Sequence, residues 1–312
     1  MALSGKNPKI AVILPCYNEG IAIGGVVEDF KKVLPDAEVY VYDNNSIDDT
    51  ILRAKEAGAI VKKEPLQGKG NVVRRMFADI DADIYVMSDG DKTYDIVKTP
   101  ILIETLINND LDMVTGARKE VDMACYRAGH RWGNILLTKL VQWFFKHKLT
   151  DMLSGFRVFS RRFVKTFPAM SKGFEIETEL TVHALSSRIP MVEVETDYFA
   201  RPVGSVSKLS TFKDGFRILL MIVNLVKDER PMLFFSLVSA VFFAASLFLG
   251  MPVIVHYFST GTVPWIPRSI LAMGLMICFG LCLLTGFVLD SQRKTRQENR
   301  RMNYLNYKKT GC

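Results

Sequence analysis

The 312-residue chain is poor in the residues and patterns behind several common chemistries. Its five cysteines (Cys16, Cys125, Cys278, Cys282 and Cys312) form no Cys-x-x-Cys pair. That argues against a zinc ribbon, a thioredoxin-type redox centre and a small disulfide scaffold. Its four histidines (His130, His147, His183 and His256) are not spaced as metal ligands. Neither a Walker loop nor a Gly-x-Ser-x-Gly nucleophile elbow is present, and the Gly20, Gly24, Gly25 stretch does not fit the dinucleotide fingerprint. There is no internal repeat or low-complexity tract. The apolar run Ile10–Leu14 stops at Pro15, too short for the core of a secretory signal.

What the chain has in excess is apolar residues, and they are concentrated near one end. Hydrophobic residues make up 49% and charged residues 23%, which excludes disorder. No Asp, Glu, Lys or Arg occurs from Met232 to Phe258, nor from Ser269 to Leu289. Each run exceeds the roughly 20 residues a helix needs to cross a bilayer core. Between them, Ser259–Arg268 carries Gly261, Pro264 and Pro267, as a tight turn would. The expectation is a two-helix transmembrane hairpin over 231–289.

The charge is equally localised. The chain carries +7, but residues 290–312 alone hold seven Lys/Arg against Asp290 and Glu298. The basic excess is thus a juxtamembrane tail rather than a nucleic-acid surface, so no nucleic-acid partner is expected. The positive-inside rule then puts the tail, the large N-terminal part and both termini in the cytoplasm, with a multi-pass anchor in the cell (inner) membrane. The hairpin can also help the protein oligomerise.

The first 120 residues alternate strand and helix signals. Lys9–Leu14, Glu38–Tyr42, Ala59–Lys62, Ile84–Ser88 and Asp112–Thr115 read as strands. Gly20–Leu34, Asp48–Ala57, Lys69–Ile80 and Thr99–Asn108 read as helices between them. That rhythm predicts an α/β fold with a mostly parallel sheet. Ligands bind such sheets at the carboxyl ends of the strands. Two amphipathic segments follow. Residues 131–148 read as an interfacial helix within a cytoplasmic catalytic domain of residues 1–208, and residues 209–230 read as a juxtamembrane helix.

The residues after each strand carry the chemistry. Pro15, Cys16, Tyr17, Asn18 and Glu19 follow the first; Tyr17 offers a flat face for a base and Glu19 an acceptor for ribose hydroxyls. Asp43, at the tip of the second, can accept an N–H from a base, while Ser46 or Asp48 suits a helix N-cap. Gly68-Lys69-Gly70 opens a helix, where glycines allow close approach to a phosphate and the N-terminus favours an anion. Asp89-Gly90-Asp91 presents two carboxylates that can share one hard divalent cation. Glu175, Glu177 and Glu179 read as the acidic first turn of a helix, or as a set of which one member holds sugar hydroxyls or an arginine.

Together Pro15-x-Tyr17-Asn18-Glu19, Asp43 with Ser46 and Asp48, Gly68-Lys69-Gly70 and Asp89-Gly90-Asp91 resemble family 2 glycosyltransferases of the GT-A fold. Ser154-Gly155-Phe156-Arg157, Arg201–Lys208 and Lys213–Arg217 resemble the polyprenyl-phosphate branch, which includes dolichyl-phosphate mannose synthases and bactoprenol glucosyltransferases. The chain departs from the pattern at Asn44, where a second acid is common, and at Thr93, where a glutamine often ligates the metal.

The resemblance implies a GT-A domain that moves a hexose or N-acetylhexosamine from a nucleotide diphosphate sugar, UDP-linked first, to a polyprenyl phosphate at the bilayer. It implies Mg2+ or Mn2+ on Asp89 and Asp91, and a nucleotide site of Pro15, Tyr17, Asn18, Glu19, Asp43, Ser46, Lys69, Gly70 and Asp89. Asp89, Asp91, Arg118, Arg127 and Arg131 are the expected catalytic set. Arg127, Arg131, Ser154, Arg157, Arg201, Ser207 and Lys208 are expected to hold the acceptor phosphate, with a structural ion pair as the equal alternative for Arg157. Two alternatives stand beside it: transfer to a lipid-linked saccharide in cell-surface polysaccharide assembly, and a non-catalytic nucleotide-sugar-binding subunit.

Overall fold

The computed structural model describes residues 8–120, 138–139, 141–143, 145–146, 148–202, 220, 223–224 and 226–307. The chain divides into two compact units, one of residues 1–216 with 300–312 and one of residues 217–299.

The first unit is built on alternation. β1 (Ile10–Cys16) sends Ala11 and Ile13 to one apolar layer and Val12, Leu14 and Cys16 to the other. Such two-faced burial is what a parallel strand covered on both sides requires. α1 (Ile23–Val33) packs Ile23, Val26, Val27 and Phe30 into the second layer, and β2 (Glu38–Asp43) follows. α2 (Thr50–Glu56) leads to β3 (Ile60–Lys63), and α3 (Lys69–Asp79) buries Val72, Val73, Met76 and Phe77 in the first layer. β4 (Ile84–Met87) is wholly buried. α4 (Thr99–Asn108) has Pro100 in its first turn, where the missing N–H costs nothing, and leads to β5 (Met113–Glu120). Every strand and helix expected over the first 120 residues is present, within about three residues at its ends except for β5, which runs five residues past the expected Thr115.

The seven-stranded sheet has the order β3-β2-β1-β4-β6-β5-β7, with β6 at Arg157–Ser160 and β7 at Met191–Tyr198. β1, β2, β3 and β4 run parallel, β6 is antiparallel to both β4 and β5, and β7 is parallel to β5. β5 and β7 therefore point the same way as β4, while β6 starts where β4 ends. Seven segments consequently meet at one sheet edge: the exits of β1, β2, β3, β4, β5 and β7 and the entry to β6. α5 (Arg161–Thr166) and α6 (Ile176–Ser186) complete the first layer.

The second unit holds α7 (Pro231–Thr260) and most of α8 (Ile266–Asn306). Both are long and apolar enough to cross a membrane. Gly261 ends α7 with a positive φ of 74°. α8 runs past the apolar segment, through the basic tail to Asn306. Residues 290–306 contain no glycine or proline, and their Arg, Lys, Gln and Glu residues are good helix formers. Within the first unit, Tyr304 is buried and its hydroxyl donates to Asp112 Oδ2 at 2.5 Å. Arg162 pairs with the same carboxylate at 2.6 Å and lies over the Tyr304 ring.

Of the expected interfacial helix, Thr138, Lys139, Val141, Gln142, Trp143 and Phe145 are helical, with Val141 buried and Trp143 exposed. Its remaining residues 131–137, 140, 144 and 147 lie outside the described residues, as does most of the segment 209–225.

Candidate active site

The edge where the strands end is zipped together by side chains. Asn18 N–H donates to Ser46 Oγ, Ile47 N–H to Asn18 Oδ1, Glu19 N–H to Thr50 Oγ1, and Gly20 N–H to Asp48 Oδ2. The loops after β1 and β2 are thus one structure, in which Tyr17, about a third exposed, follows the Cys16 that pairs with Asp43. Pro15 itself is a β1 residue, paired with Tyr42. The N-cap of α2 is Asp49, without a side-chain bond; Asp48, one residue earlier, accepts from the Thr50 N–H instead.

Asp43 closes β2 and is buried. Its Oδ2 accepts from Ser46 N–H at 3.2 Å, while its Oδ1 is buried without a partner. A buried acceptor left unmade is costly, so an incoming donor gains there. Asn44 ties the strand tip to the next loop, donating to Glu64 O and Leu66 O and accepting from Gly68 N–H.

The acid pair follows β4. Gly90 between them is required by packing, since a Cβ there would lie 2.6 Å from Cys16 Sγ. Asp91 is buried; its Oδ1 accepts from Thr93 Oγ at 2.6 Å and its Oδ2 pairs with Arg201 Nη2 at 2.7 Å. Burial and the neighbouring Asp89 charge lift its carboxyl above the usual range, while Arg201 and Thr93 pull it back. Thr93, which departs from the glutamine of the pattern, therefore orients Asp91. Asp89 is more open, and its Oδ1 lies 2.5 Å from Lys69 Nζ.

Lys69 also lies 2.6 Å from Glu177 Oε1. Burial works against its ammonium, but the two carboxylates prevail and hold its pKa above the ordinary lysine value. Glu177 escaped the sequence reading because three acids in one helical turn look alike. The structure separates them. Glu177 is buried on Lys69, and Glu179 accepts from the Met170 and Ser171 N–H groups.

Three expectations need correction. The first concerns the anion site at Gly68-Lys69-Gly70. A Cβ on Gly68 or Gly70 would lie 2.2 Å from Lys172 O or 2.1 Å from Ser171 O. The N–H groups of Gly70 and Asn71 donate to Gly173 O and Lys172 O. The glycines admit this neighbouring loop, and its carbonyls take the amides a phosphate would need. Lys69 alone in the motif sends a charge to the edge.

The second concerns Ser154 and Arg157, expected at an acceptor phosphate. Both are fully buried. Ser154 Oγ donates to Gly116 O. The Arg157 guanidinium donates to Ser154 O, Met152 O, Glu177 O and Thr181 Oγ. Burial pushes its pKa down to about 10, so it stays charged at neutral pH as a strut. The motif's contribution to the edge is Gly155, where a Cβ would lie 2.8 Å from Asp89 Oδ2.

The third concerns Arg118, expected in the catalytic set. It forms a two-pronged pair with Asp151, at 2.6 and 2.8 Å, and lies over the Tyr198 ring. Its charge is thereby largely matched within the protein. Arg127, Arg131, Ser207 and Lys208 lie outside the described residues.

Residues 11–167 match the model of Glycosyl transferase family 2. The chain is 32% identical over 293 residues to the glycosyltransferase AglJ of Haloferax volcanii, covering 90% of this chain and 92% of that one. It is 59% identical over 123 residues to Protein RfbJ of Shigella flexneri, covering 39% and 95%. It is 27% identical over 221 residues to a dolichyl-phosphate hexose transferase of H. volcanii, covering 71% and 95%. Among solved structures it is similar to glucosyl-3-phosphoglycerate synthase from Mycobacterium tuberculosis in complex with Mn2+, UDP and glucosyl-3-phosphoglycerate. That likeness has a TM-score of 0.57 at 22% identity and covers 70% of this chain and 79% of that one. With its mostly parallel sheet, GT-A-like edge and matching family model, the chain belongs to glycosyl transferase family 2 and is a glycosyltransferase.

Proposed function

We propose that this glycosyltransferase is membrane-anchored and moves a hexose or N-acetylhexosamine, with inversion, from a nucleotide diphosphate sugar to a polyprenyl phosphate at the cytoplasmic face. The observation that carries the reading is the acid pair Asp89 and Asp91 at the same strand edge as the unpartnered Asp43 Oδ1. The dolichyl-phosphate hexose transferase relative and the two long apolar helices support a lipid phosphate as acceptor. A UDP-linked donor is favoured by the family resemblance and by the Mn2+–UDP complex of the similar fold.

The donor set fits a hard divalent cation, Mg2+ or Mn2+. Asp89 and Asp91 supply carboxylate oxygens, and no group of three or more His, Cys, Asp or Glu occurs among the described residues. Such an ion characteristically keeps few protein ligands and fills its shell with phosphate oxygens and water. When bound, it neutralises the charge that develops on the leaving diphosphate.

The chain's own residues do the rest. Asp43 Oδ1 takes a base N–H, Tyr17 offers a stacking face, and Lys69 reaches the diphosphate. The acceptor is a phosphate monoester with a second pKa of about 6, already mostly dianionic at neutral pH. It needs no general base; it needs cationic groups to hold it against repulsion from the donor. Arg201, with Arg127, Arg131, Ser207 and Lys208, takes that role, and arginine can grip phosphate with two parallel bonds.

The test is one series of incubations. Purified protein meets UDP- and GDP-sugars with undecaprenyl or dolichyl phosphate, with and without Mn2+, and lipid products are read by mass spectrometry. A glycosyl polyprenyl phosphate that needs Mn2+ is expected. Asp91→Ala should lower transfer by about 10²–10³-fold with the fold retained. Near-normal turnover in that variant, or products only on a lipid-linked saccharide, contradicts the proposal.

A further inference from the structure

Lys69 sits between two acids of different kinds. Glu177 is buried, and its backbone carbonyl is held by Arg157, which is itself anchored to Ser154 O, Met152 O and Thr181. Asp89 faces the open edge, its side chain 27% exposed. One ammonium is therefore shared between a fixed carboxylate and the carboxylate assigned to the cation.

We propose that Lys69 is a transferable counter-ion, with Glu177 as its positioning residue: the ammonium guards Asp89 when the site is empty and passes to the donor diphosphate when a divalent cation takes Asp89. This rests on the reading that Asp89 and Asp91 hold the cation. A divalent ion on Asp89 lies beside the ammonium, and like charges that close repel strongly in a partly buried site. Lys69 cannot keep its place on Asp89. Its backbone cannot shift either, because the first turn of α3 is bonded to the loop carbonyls of Lys172 and Gly173. Only its four-carbon stem is free to swing. Glu177, 2.6 Å away, limits that swing and keeps the charge within reach of the edge.

The same logic applies in part to Asp91, where Arg201 holds the second carboxylate. Counted together, the three acids Asp89, Asp91 and Glu177 are paired with the two cations Lys69 and Arg201, so these side chains nearly balance one another. A divalent cation and a diphosphate arriving together preserve that balance; either alone upsets it. Metal and Lys69 therefore compete for Asp89 in the absence of nucleotide and cooperate in its presence.

The test measures Mn2+ binding to the full chain in detergent by the electron paramagnetic resonance of free Mn2+, and UDP binding at saturating Mn2+ by calorimetry. Lys69→Met should bind Mn2+ alone about fivefold more tightly and UDP at least about tenfold more weakly. Glu177→Gln leaves the ammonium on Asp89 alone and removes one negative charge, so Mn2+ alone should bind about threefold more weakly. Adding Lys69→Met to Glu177→Gln should tighten Mn2+ binding again. That neutral double variant also carries the comparison should Lys69→Met alone fail to fold. A purely structural lysine would weaken both ligands in step.

Mn2+ affinity unchanged or weakened by Lys69→Met in both backgrounds overturns the proposal. Asp91→Asn separates the two readings. Loss of Mn2+ binding there is expected, and where Lys69→Met has failed to tighten Mn2+ it leaves the cation site standing while the counter-ion alone falls. Unaltered Mn2+ binding there removes the cation site, and the counter-ion with it.

Discussion

In β1 the apolar side chains of Ala11 through Leu14 are all fully buried, whereas in α7 the apolar Val241, Phe248 and Phe258 are mostly exposed and the buried residues include Ser239 and Ser246. The first unit follows the rule for proteins in water, with apolar groups inside. The second inverts it. Its helix contact includes small residues beside the Phe243–Phe279 ring pair: Ser246 Oγ donates to Ala272 O at 2.8 Å, and a Cβ on Gly250 would lie 3.5 Å from Ala272 Cβ. Small residues let two helices approach closely, as they do between helices that cross a membrane. The two units thus follow opposite patterns of burial within one chain.

That contrast can be broken by substitution. Phe159 is fully buried among Phe77 and Phe163, and Phe159→Ala should cost about 3–5 kcal/mol in a denaturant melt of the first unit. Phe248→Ala, at 76% exposure in the second, should stay within about 0.5 kcal/mol in detergent. Equal costs would abolish the distinction.

A pH series sharpens it. His183 is buried among Phe163 and Phe167 with both ring nitrogens unpartnered. Burial, with Arg300 adding to it, pulls its pKa down to about 4 from 6.5. Between those values the unfolded chain takes up a proton that the folded one refuses. Stability is therefore complete above pH 6.5 and falls as pH drops toward 4, by about 3 kcal/mol from this group. His183→Phe should flatten that limb, and an unchanged slope would refute the assignment.

The smaller effects come next. Ser246→Leu puts bulk into the helix seam and should cost about 1–3 kcal/mol in detergent-based unfolding, against no measurable loss for the exposed Leu247→Ile. Tyr304→Phe removes one hydroxyl from the buried Asp112 and should cost about 1–2 kcal/mol, read as a lower Tm.

How far the sequence could be read follows the same physics. The elements from β1 to β5 were legible because buried strands alternate with helices that carry one apolar stripe. β7 carries the alternation of a strand, Val192, Val194, Thr196 and Tyr198 against Glu193, Glu195 and Asp197, but it lies beyond the strand–helix rhythm of the first 120 residues and was not among the expected strands. Asp43 and the acid pair were legible from their place after strands. The roles of Ser154 and Arg157 were not: an arginine satisfied by buried carbonyls and one waiting for phosphate look identical as letters. Only the antiparallel entry of β6, which seats Gly155 against Asp89, shows why that motif borders the site without reaching into it. The seam of Ser239 and Ser246, seven residues apart, lies in a run that reads as uniformly apolar.

The most direct measurement is a structure of the full chain with Mn2+ and UDP, read by Mn2+ anomalous scattering. The account predicts one Mn2+ peak shared by the Asp89 and Asp91 carboxylates, the pyrophosphate beside it, and the uracil N–H on Asp43 Oδ1. A peak remote from both acids, or UDP seated at another edge of the sheet, contradicts it.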